Sequence, residues 1–370
     1  MRVSLAAPTH LGPYEVVAKI ARGGMASVYL GRAKGRDGVE RIAAVKAIRP
    51  ELAQDAQFVT MFTDEAKILS RLDHPNVTRT LEYGVEGDHP FIAMELLLGR
   101  TLLDVWDQCV LKSRPLPWDL CAWVCAQVAA GLHHAHELCD ADGVWLNIVH
   151  RDVNPSNIFL TYEGQVKLFD FGLARAKGRR HRTESGVVKG KIAYLSPEQL
   201  IQLPIDRRCD IFALGTTLWE LTTLRRLFKR DKDLATVMAI QEAMVPDPRE
   251  LVPGYPDELW RIVGHALAKD RDDRYQRAEA LAEDLDDLVG EDVASTMGPR
   301  IGALLDELFP GDRERQNAWL RTTRSGSGKR GLATMAPPAL LPSVNIPTNA
   351  DRQAAKIMAQ IIPGAPKSRR

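Results

Sequence analysis

Five separated stretches of the chain carry side chains that could act together on a phosphate. A glycine-bearing hairpin, Ala21-Arg22-Gly23-Gly24-Met25-Ala26-Ser27-Val28, joins two strand-like runs, and its small residues would let backbone N–H groups approach phosphate oxygens. By itself such a turn is an ordinary hairpin. Lys46, in Ala44-Val45-Lys46, sits inside an apolar strand where an unpaired ammonium would be costly; a partner anion is expected, and Glu65 on the next helical stretch can supply it. Taken alone, the pair could equally be a surface lysine and a surface glutamate. The run His150-Arg151-Asp152-Val153-Asn154-Pro155-Ser156-Asn157, followed by Asp170-Phe171-Gly172, is far more specific. Phosphoryl transfer asks for a divalent cation held by carboxylate and amide oxygens, cations on the phosphates, and a carboxylate to orient the attacking hydroxyl. The chain supplies each in order.

The elements that must position these groups divide into two kinds. From 14 to about 91, short alternating apolar runs broken by glycines enclose one helical segment at 58–72, which predicts a mostly antiparallel sheet carrying one helix. After Gly99 the periods lengthen, and 120–138, 209–223, 234–244, 256–269 and 278–288 read as helices of a larger lobe. Strand-like runs at 158–162 and 166–169 lie between the first two of these helices, and the polar segment 177–191 follows as a candidate functional loop. Helical spacing returns at 292–321 through Ile301, Leu304, Leu305 and Leu308. From Thr322 onward Gly, Ser, Pro and Ala dominate, as in a flexible, disordered tail. Within it, the short apolar face of Ala354, Ala355, Ile357, Met358, Ile361 and Ile362 reads as incidental aliphatics rather than a docking helix. No internal repeat is present.

With 370 residues the chain is long for one compact core, and two lobes or a domain with a tail is the size-based expectation. A hydrophobic content of 45%, a charged content of 26% and a net charge of +1 exclude a wholly disordered chain and offer no basic field for nucleic acid. The five cysteines (Cys109, Cys121, Cys125, Cys139, Cys209) are odd in number and lack CxxC pairing, so free thiols in a reducing, cytoplasmic compartment are expected. Cys121 and Cys125 with His133, His134 and His136 invite a metal reading, but Cys and His on an apolar helix are expected to be core residues. Residues 1–13 lack the apolar core of a signal peptide. The stretch 120–136 carries three histidines, and 331–350 is broken by Pro337, Pro338, Pro342 and Pro347. The reading is a soluble protein with no membrane span.

In their order and separation these motifs resemble the eukaryotic-type (Hanks-type) serine/threonine protein kinases found in bacteria, from about Tyr14 to Leu288. The resemblance implies an α+β, two-lobed protein kinase fold: a small β-rich N-lobe (14–97) with one main helix and a larger helical C-lobe (98–289). A helical extension (290–321) and a flexible tail (322–370) would follow. It implies ATP as donor, Mg²⁺ or Mn²⁺ as metal, and protein hydroxyls as acceptors. Lys46 would bind the α- and β-phosphates and pair with Glu65, while Ala21, Gly23, Gly24 and the neighbouring backbone cover the phosphates. Asp152 would be the catalytic base, and Asn157 with Asp170 would hold the metal. Met94 would precede the interlobe linker, with Glu95 to Leu97 offering backbone to adenine and Val28, Ala44 and Phe159 enclosing the base. Glu198, in Ser196-Pro197-Glu198, would form a buried pair with Arg274, and Asp210 would brace the catalytic loop.

The sequence departs from that pattern in three places. Ala21 and Ala26 stand where glycine is usual, at an expected cost of about 1 kcal/mol. Asn154 stands where the Ser/Thr members have lysine, and Lys191 where they have threonine; Lys191 is expected to reach the γ-phosphate and Asp152 and restore the missing charge. Thr183 and Ser185 fall where activation-loop phosphosites of similar kinases lie, and phosphate there could pair with Arg151, although Lys177, Arg179, Arg180 and Arg182 already make this loop basic. Retention of Lys46, Glu65, Asp152, Asn157 and Asp170 favours an active kinase over a pseudokinase scaffold, and Ser196-Pro197-Glu198 favours a protein over a small-molecule acceptor. With no sensor domain visible, an adaptor or scaffold acting through the C-terminal tail is the expected input.

Overall fold

The computed structural model describes residues 8–324, apart from 24–25, 36–37, 88, 172–190 and 202. Gly24, Gly172, Thr183, Ser185 and the tail beyond 324 lie outside the described residues, as does the side chain of Lys191.

Period-two alternation builds six strands into one antiparallel sheet: β1 (His10–Leu11), β2 (Tyr14–Arg22), β3 (Ala26–Lys34), β4 (Glu40–Ile48), β5 (Thr80–Glu86) and β6 (His89–Glu95), in the order β1-β2-β3-β4-β6-β5. One face closes a small core of Tyr14, Tyr29, Val45, Phe91 and Ala93. The opposite face holds Leu30 beside Ala44, Val28 beside Lys46, and Ala44 beside Met94. Helix α1 (Ala56–Leu69), capped by Asp55, covers one end of that second face by packing Phe62 and Ala66 on Ala26, Ile48 and Ile92.

A second, three-stranded sheet of β7 (Gly99–Thr101), β8 (Ile158–Thr161) and β9 (Val166–Leu168) opens the helical part. Its helices are α2 (Leu102–Leu111), α3 (Trp118–His136), α4 (Pro197–Leu200), α5 (Arg208–Thr223), α6 (Asp233–Glu242), α7 (Asp257–Ala266) and α8 (Ala278–Val289). They are followed by α9 (Glu291–Ala294), α10 (Met297–Leu308) and α11 (Asp312–Arg324). All but α11 pack on one large apolar core. Helix α5 is buried from Cys209 to Thr223, and its threonines fit there because Thr216, Thr217, Thr222 and Thr223 each donate to a carbonyl one turn back. Gly215 lets α5 approach α7, since a Cβ there would lie 2.9 Å from the Ala266 methyl carbon. Cys121 and Cys125 are core residues of α3, and burial pushes both thiols well above their ordinary pKa.

Helix α2 has no counterpart in the sequence reading. Its start is a capping box in which Thr101 and Asp104 satisfy each other's backbone N–H. Helix α10 buries Ile301, Leu304, Leu305 and Leu308 against the large core, whereas α11 leaves that core and reaches the six-stranded sheet. Among the described residues no helix is long and apolar enough to cross a membrane.

Candidate active site

Helix α5 sets one buried carboxylate, Asp210, against the loop that carries His150, Arg151 and Asp152. Its Oδ2 accepts the His150 N–H and the His136 ring Nε2, both at 2.8 Å, and its Oδ1 accepts the Arg151 N–H at 2.8 Å. Burial pushes the Asp210 carboxyl up, and these bonds outweigh it, leaving its pKa below the ordinary value. The anchored turn holds Arg151 at φ 64°, a left-handed conformation that a non-glycine residue keeps only when its surroundings enforce it. Burial lowers the pKa of His150 and keeps its ring neutral; Nε2 then donates to the Phe169 carbonyl at 3.2 Å, and Nδ1 accepts the Asp152 N–H at 3.3 Å. One neutral imidazole thus ties the loop bearing Asp152 to the segment bearing Asp170.

Asp152 is held by amides. Asn157 Nδ2 donates to its carbonyl at 2.7 Å and to its Oδ2 at 3.1 Å. Asn154 Nδ2 donates to the same carbonyl at 2.7 Å, while Asn154 Oδ1 accepts the Ser156 N–H at 3.0 Å and the Ser156 hydroxyl. Buried Asn154 therefore shapes the turn through both ends of its amide, and the place that lacks the expected lysine is occupied by a structural group. Lys191 opens a 3-10 turn at Lys191–Tyr194.

Lys46 lies between two carboxylates. Its Nζ is 3.0 Å from Glu65 Oε1 on α1 and 2.9 Å from Asp170 Oδ1. Burial would lower the pKa of Lys46, but Asp170 and Glu65 hold it well above its ordinary value; burial and the neighbouring Asp170 charge raise Glu65. Asp170 is a second non-glycine residue in the left-handed region, at φ 56°, with its side chain 49% exposed. A metal-binding role fits the donor chemistry: Asn157 spends its amide N–H groups on Asp152, its oxygen meets the Ser156 hydroxyl at 3.5 Å, and with the Asp170 carboxylate that oxygen would make the hard-oxygen set that Mg²⁺ takes.

The remaining expected residues surround this centre. Ala21 pairs with Val28 inside the β2–β3 ladder, and Ala26 packs its methyl on α1. Neither has positive φ, so the strain expected from replacing glycine is absent at both. The Gly23 N–H donates to the Ala26 carbonyl at 2.8 Å, closing the hairpin. Val28, Ala44 and Met94 lie on the sheet face that carries Lys46, and Phe159 is fully buried with its ring edge-on to Phe169 at 6.3 Å. The Glu95 N–H donates to the Arg79 carbonyl at 3.0 Å, and its carboxylate accepts Lys167 Nζ at 2.9 Å; this N–H is thus committed within the protein. Leu97 is half-buried in the linker to β7.

Farther out, Arg274 grips Glu198 through two bonds of 2.8 and 3.0 Å and donates to the Ala268 and Lys269 carbonyls. Sequence reasoning missed a second buried network: Glu220 accepts the Tyr194 hydroxyl at 2.7 Å, Arg226 at 2.8 Å and the Leu227 N–H at 3.0 Å. Its members are scattered along the chain, and only a buried glutamate on an otherwise apolar helix hinted at it. Ile20, 8% exposed beside Ala44, was also missed.

Residues 14–285 match the protein kinase domain. The chain is 41% identical over 335 residues to the tyrosine-protein kinase MasK of Myxococcus xanthus, covering 88% of this chain and 52% of that one. A stretch of that extent includes α11 from whichever end it is laid. It is 36% identical over 279 residues to the serine/threonine-protein kinase PknL of Mycobacterium tuberculosis, covering 75% and 66%, and 33% identical over 275 residues to the serine/threonine-protein kinase PrkC of Bacillus subtilis, covering 74% and 40%. The chain thus spans two thirds or less of each of these relatives. The crystal structure of the Mycobacterium tuberculosis PknI kinase domain shares the fold, with a TM-score of 0.56 at 24% identity over 77% of this chain and 99% of that one. With a two-lobed architecture, the Lys46–Glu65–Asp170 cluster and a family match over most of its length, this chain belongs to the protein kinase family.

Proposed function

We propose that the chain transfers the γ-phosphoryl group of ATP to a serine or threonine hydroxyl of a protein. The observation that carries this reading is the meeting of Glu65 from α1 and Asp170 from the loop after β9 within 3.0 Å of the Lys46 ammonium on β4, with His150 tying that loop to an Asp152 that Asn157 orients. In the transfer, the acceptor oxygen bonds to the γ-phosphorus, the bond from that phosphorus to the β–γ bridging oxygen breaks, and ADP leaves with the electron pair. Asp152 orients the hydroxyl and takes its proton. Lys46 holds the α- and β-phosphates, and Glu65 keeps the ammonium in place. Asn157 and Asp170 would hold Mg²⁺, which when bound supplies positive charge to the phosphate oxygens. Val28, Ala44 and Met94 enclose the adenine from the sheet side, Phe159 lies fully buried behind the site, and Leu97 offers its backbone.

The acceptor class rests on PknL and PrkC, whose names state serine/threonine. A tyrosine acceptor is the second reading: MasK, which matches 88% of the chain, is named a tyrosine kinase, and Asn154 stands where the Ser/Thr pattern has a cation. Incubation of the purified chain with Mg²⁺-ATP, alongside Asp152→Asn, followed by phosphosite mapping, tests both. Phosphoserine or phosphothreonine in the wild type alone supports the proposal, phosphotyrosine alone selects the second reading, and nucleotide binding without transfer sinks both.

A further inference from the structure

Helix α11 is anchored at the junction of the lobes by groups with no part in the chemistry above. Gln316 is fully buried and makes a two-pronged contact with one residue: its Oε1 accepts the Gly99 N–H at 3.0 Å, and its Nε2 donates to the Gly99 carbonyl at 3.1 Å. Gly99, the first residue of β7, follows the linker that leaves β6 at Glu95. A side chain there would collide with the main chain, a Cβ lying 2.0 Å from the Leu160 oxygen, so only glycine lets the two backbones approach this closely. Asp312, one turn before Gln316, accepts Gln316 Nε2 at 2.7 Å, Arg100 Nε at 2.9 Å and the Tyr162 hydroxyl at 2.6 Å.

One turn after Gln316, Trp319 is fully buried in a cluster with Ile20, Leu30 and Ala44. This is the face of the sheet that carries Lys46. Its coverage is graded: Leu30 is fully buried and Ile20 is 8% exposed, while Val28 and Met94, bordering the same cluster, keep part of their surface open. The indole closes the outer part of the face and leaves the inner part for a flat apolar ligand.

We propose that α11 is a wall of the nucleotide site, with Trp319 as its outer edge and Gln316 as the clamp on the linker that the adenine meets. This rests on the nucleotide reading above. Both are positioning residues: Trp319 acts through Ile20 and Ala44, and Gln316 through Gly99. Helix docking and nucleotide binding are then linked, and each strengthens the other by the same factor.

Titration calorimetry of Mg²⁺-ATP against the full chain tests this. Trp319→Ala is expected to weaken binding by about tenfold or more, equivalent to about 1.4 kcal/mol. Trp319→Phe should recover most of that loss, and Gln316→Ala should weaken binding several-fold. Arg300→Ala, which cuts a bond from α10 to Asp119 away from the cleft, should leave the affinity unchanged. By linkage, Mg²⁺-ATP should also slow amide exchange at 316–321 in the wild type. Unchanged or tighter binding in Trp319→Ala overturns the proposal, the latter by showing that the indole plugs the site. So does an equal loss in Arg300→Ala, or exchange in α11 indifferent to ATP. A wild type that binds no nucleotide removes the proposed function itself, and this wall with it.

Discussion

At Lys46, one ammonium separates two carboxylates that would otherwise face each other. Lys46→Met removes both the phosphate-binding charge and that separation, and is expected to lower kcat/KM by roughly 10²–10³, the scale for deleting one preorganised electrostatic group. Steady-state kinetics with a parallel melting curve checks that the loss is catalytic. Asn154 teaches the opposite lesson. The sequence shows a lysine missing from its usual place and looks to Lys191 to restore the missing charge. The structure shows an asparagine whose partners are backbone groups two residues away, a local turn legible from Asn-Pro-Ser itself. Asn154→Lys is therefore expected to lower kcat by opening the turn beneath Asp152, and Asn154→Ala to cost about 1–3 kcal/mol by leaving buried groups unpaired. A rise in kcat for Asn154→Lys would mean that the place was waiting for a cation after all.

At the scale of elements, periodicity located α1, α3, α5 and the strands β8 and β9, because α1 and α3 bury apolar faces and α5, β8 and β9 are buried throughout, so their apolar runs survive in the sequence. It failed at α2, where the signal was a cap, Thr101 three residues before Asp104. Joints between elements were legible only where a family motif marked both partners, as for Glu198 on α4 and Arg274 before α8. Arg274 is wholly buried, so Glu198→Ala would strand its charge and is expected to cost about 3–5 kcal/mol, measured by urea unfolding. The pH dependence has a definite sign. Burial raises Glu198 but Arg274 outweighs it, so the folded pKa lies below the ordinary 4.5. The folded protein then binds fewer protons than the unfolded chain, and the pair's contribution is full above pH 4.5 and lost as pH falls through the folded value. Melting temperatures should accordingly fall more steeply below pH 4.5 in wild type than in Glu198→Gln.

Among the described residues the apolar packing is unequal: one continuous core unites α2 to α10, while the six-stranded sheet is served by three small clusters. The smaller lobe has less buried surface per residue to offset its chain entropy, so it depends more on what it leans against. Trp319 belongs to one of those small clusters, and its helix starts from Asp312, a carboxylate 1% exposed that bonds Arg100, Tyr162 and Gln316. None of this was legible beforehand. Helical spacing at 301–308 announced a helix packed on something, but Gln316 and Gly99 lie 217 positions apart, and no local pattern pairs them. Asp312→Ala leaves the Arg100 guanidinium without its carboxylate in a largely buried place, and a loss of about 3–5 kcal/mol is expected. Its location matters more than its size. If α11 braces the smaller lobe, amide exchange in Asp312→Ala should quicken in β2, β3 and β4 as well as in α11, while α3 and α5 keep their wild-type rates. Faster exchange confined to α11 and β7 would mean that the helix merely rests on the sheet, and that the N-lobe stands on its own clusters.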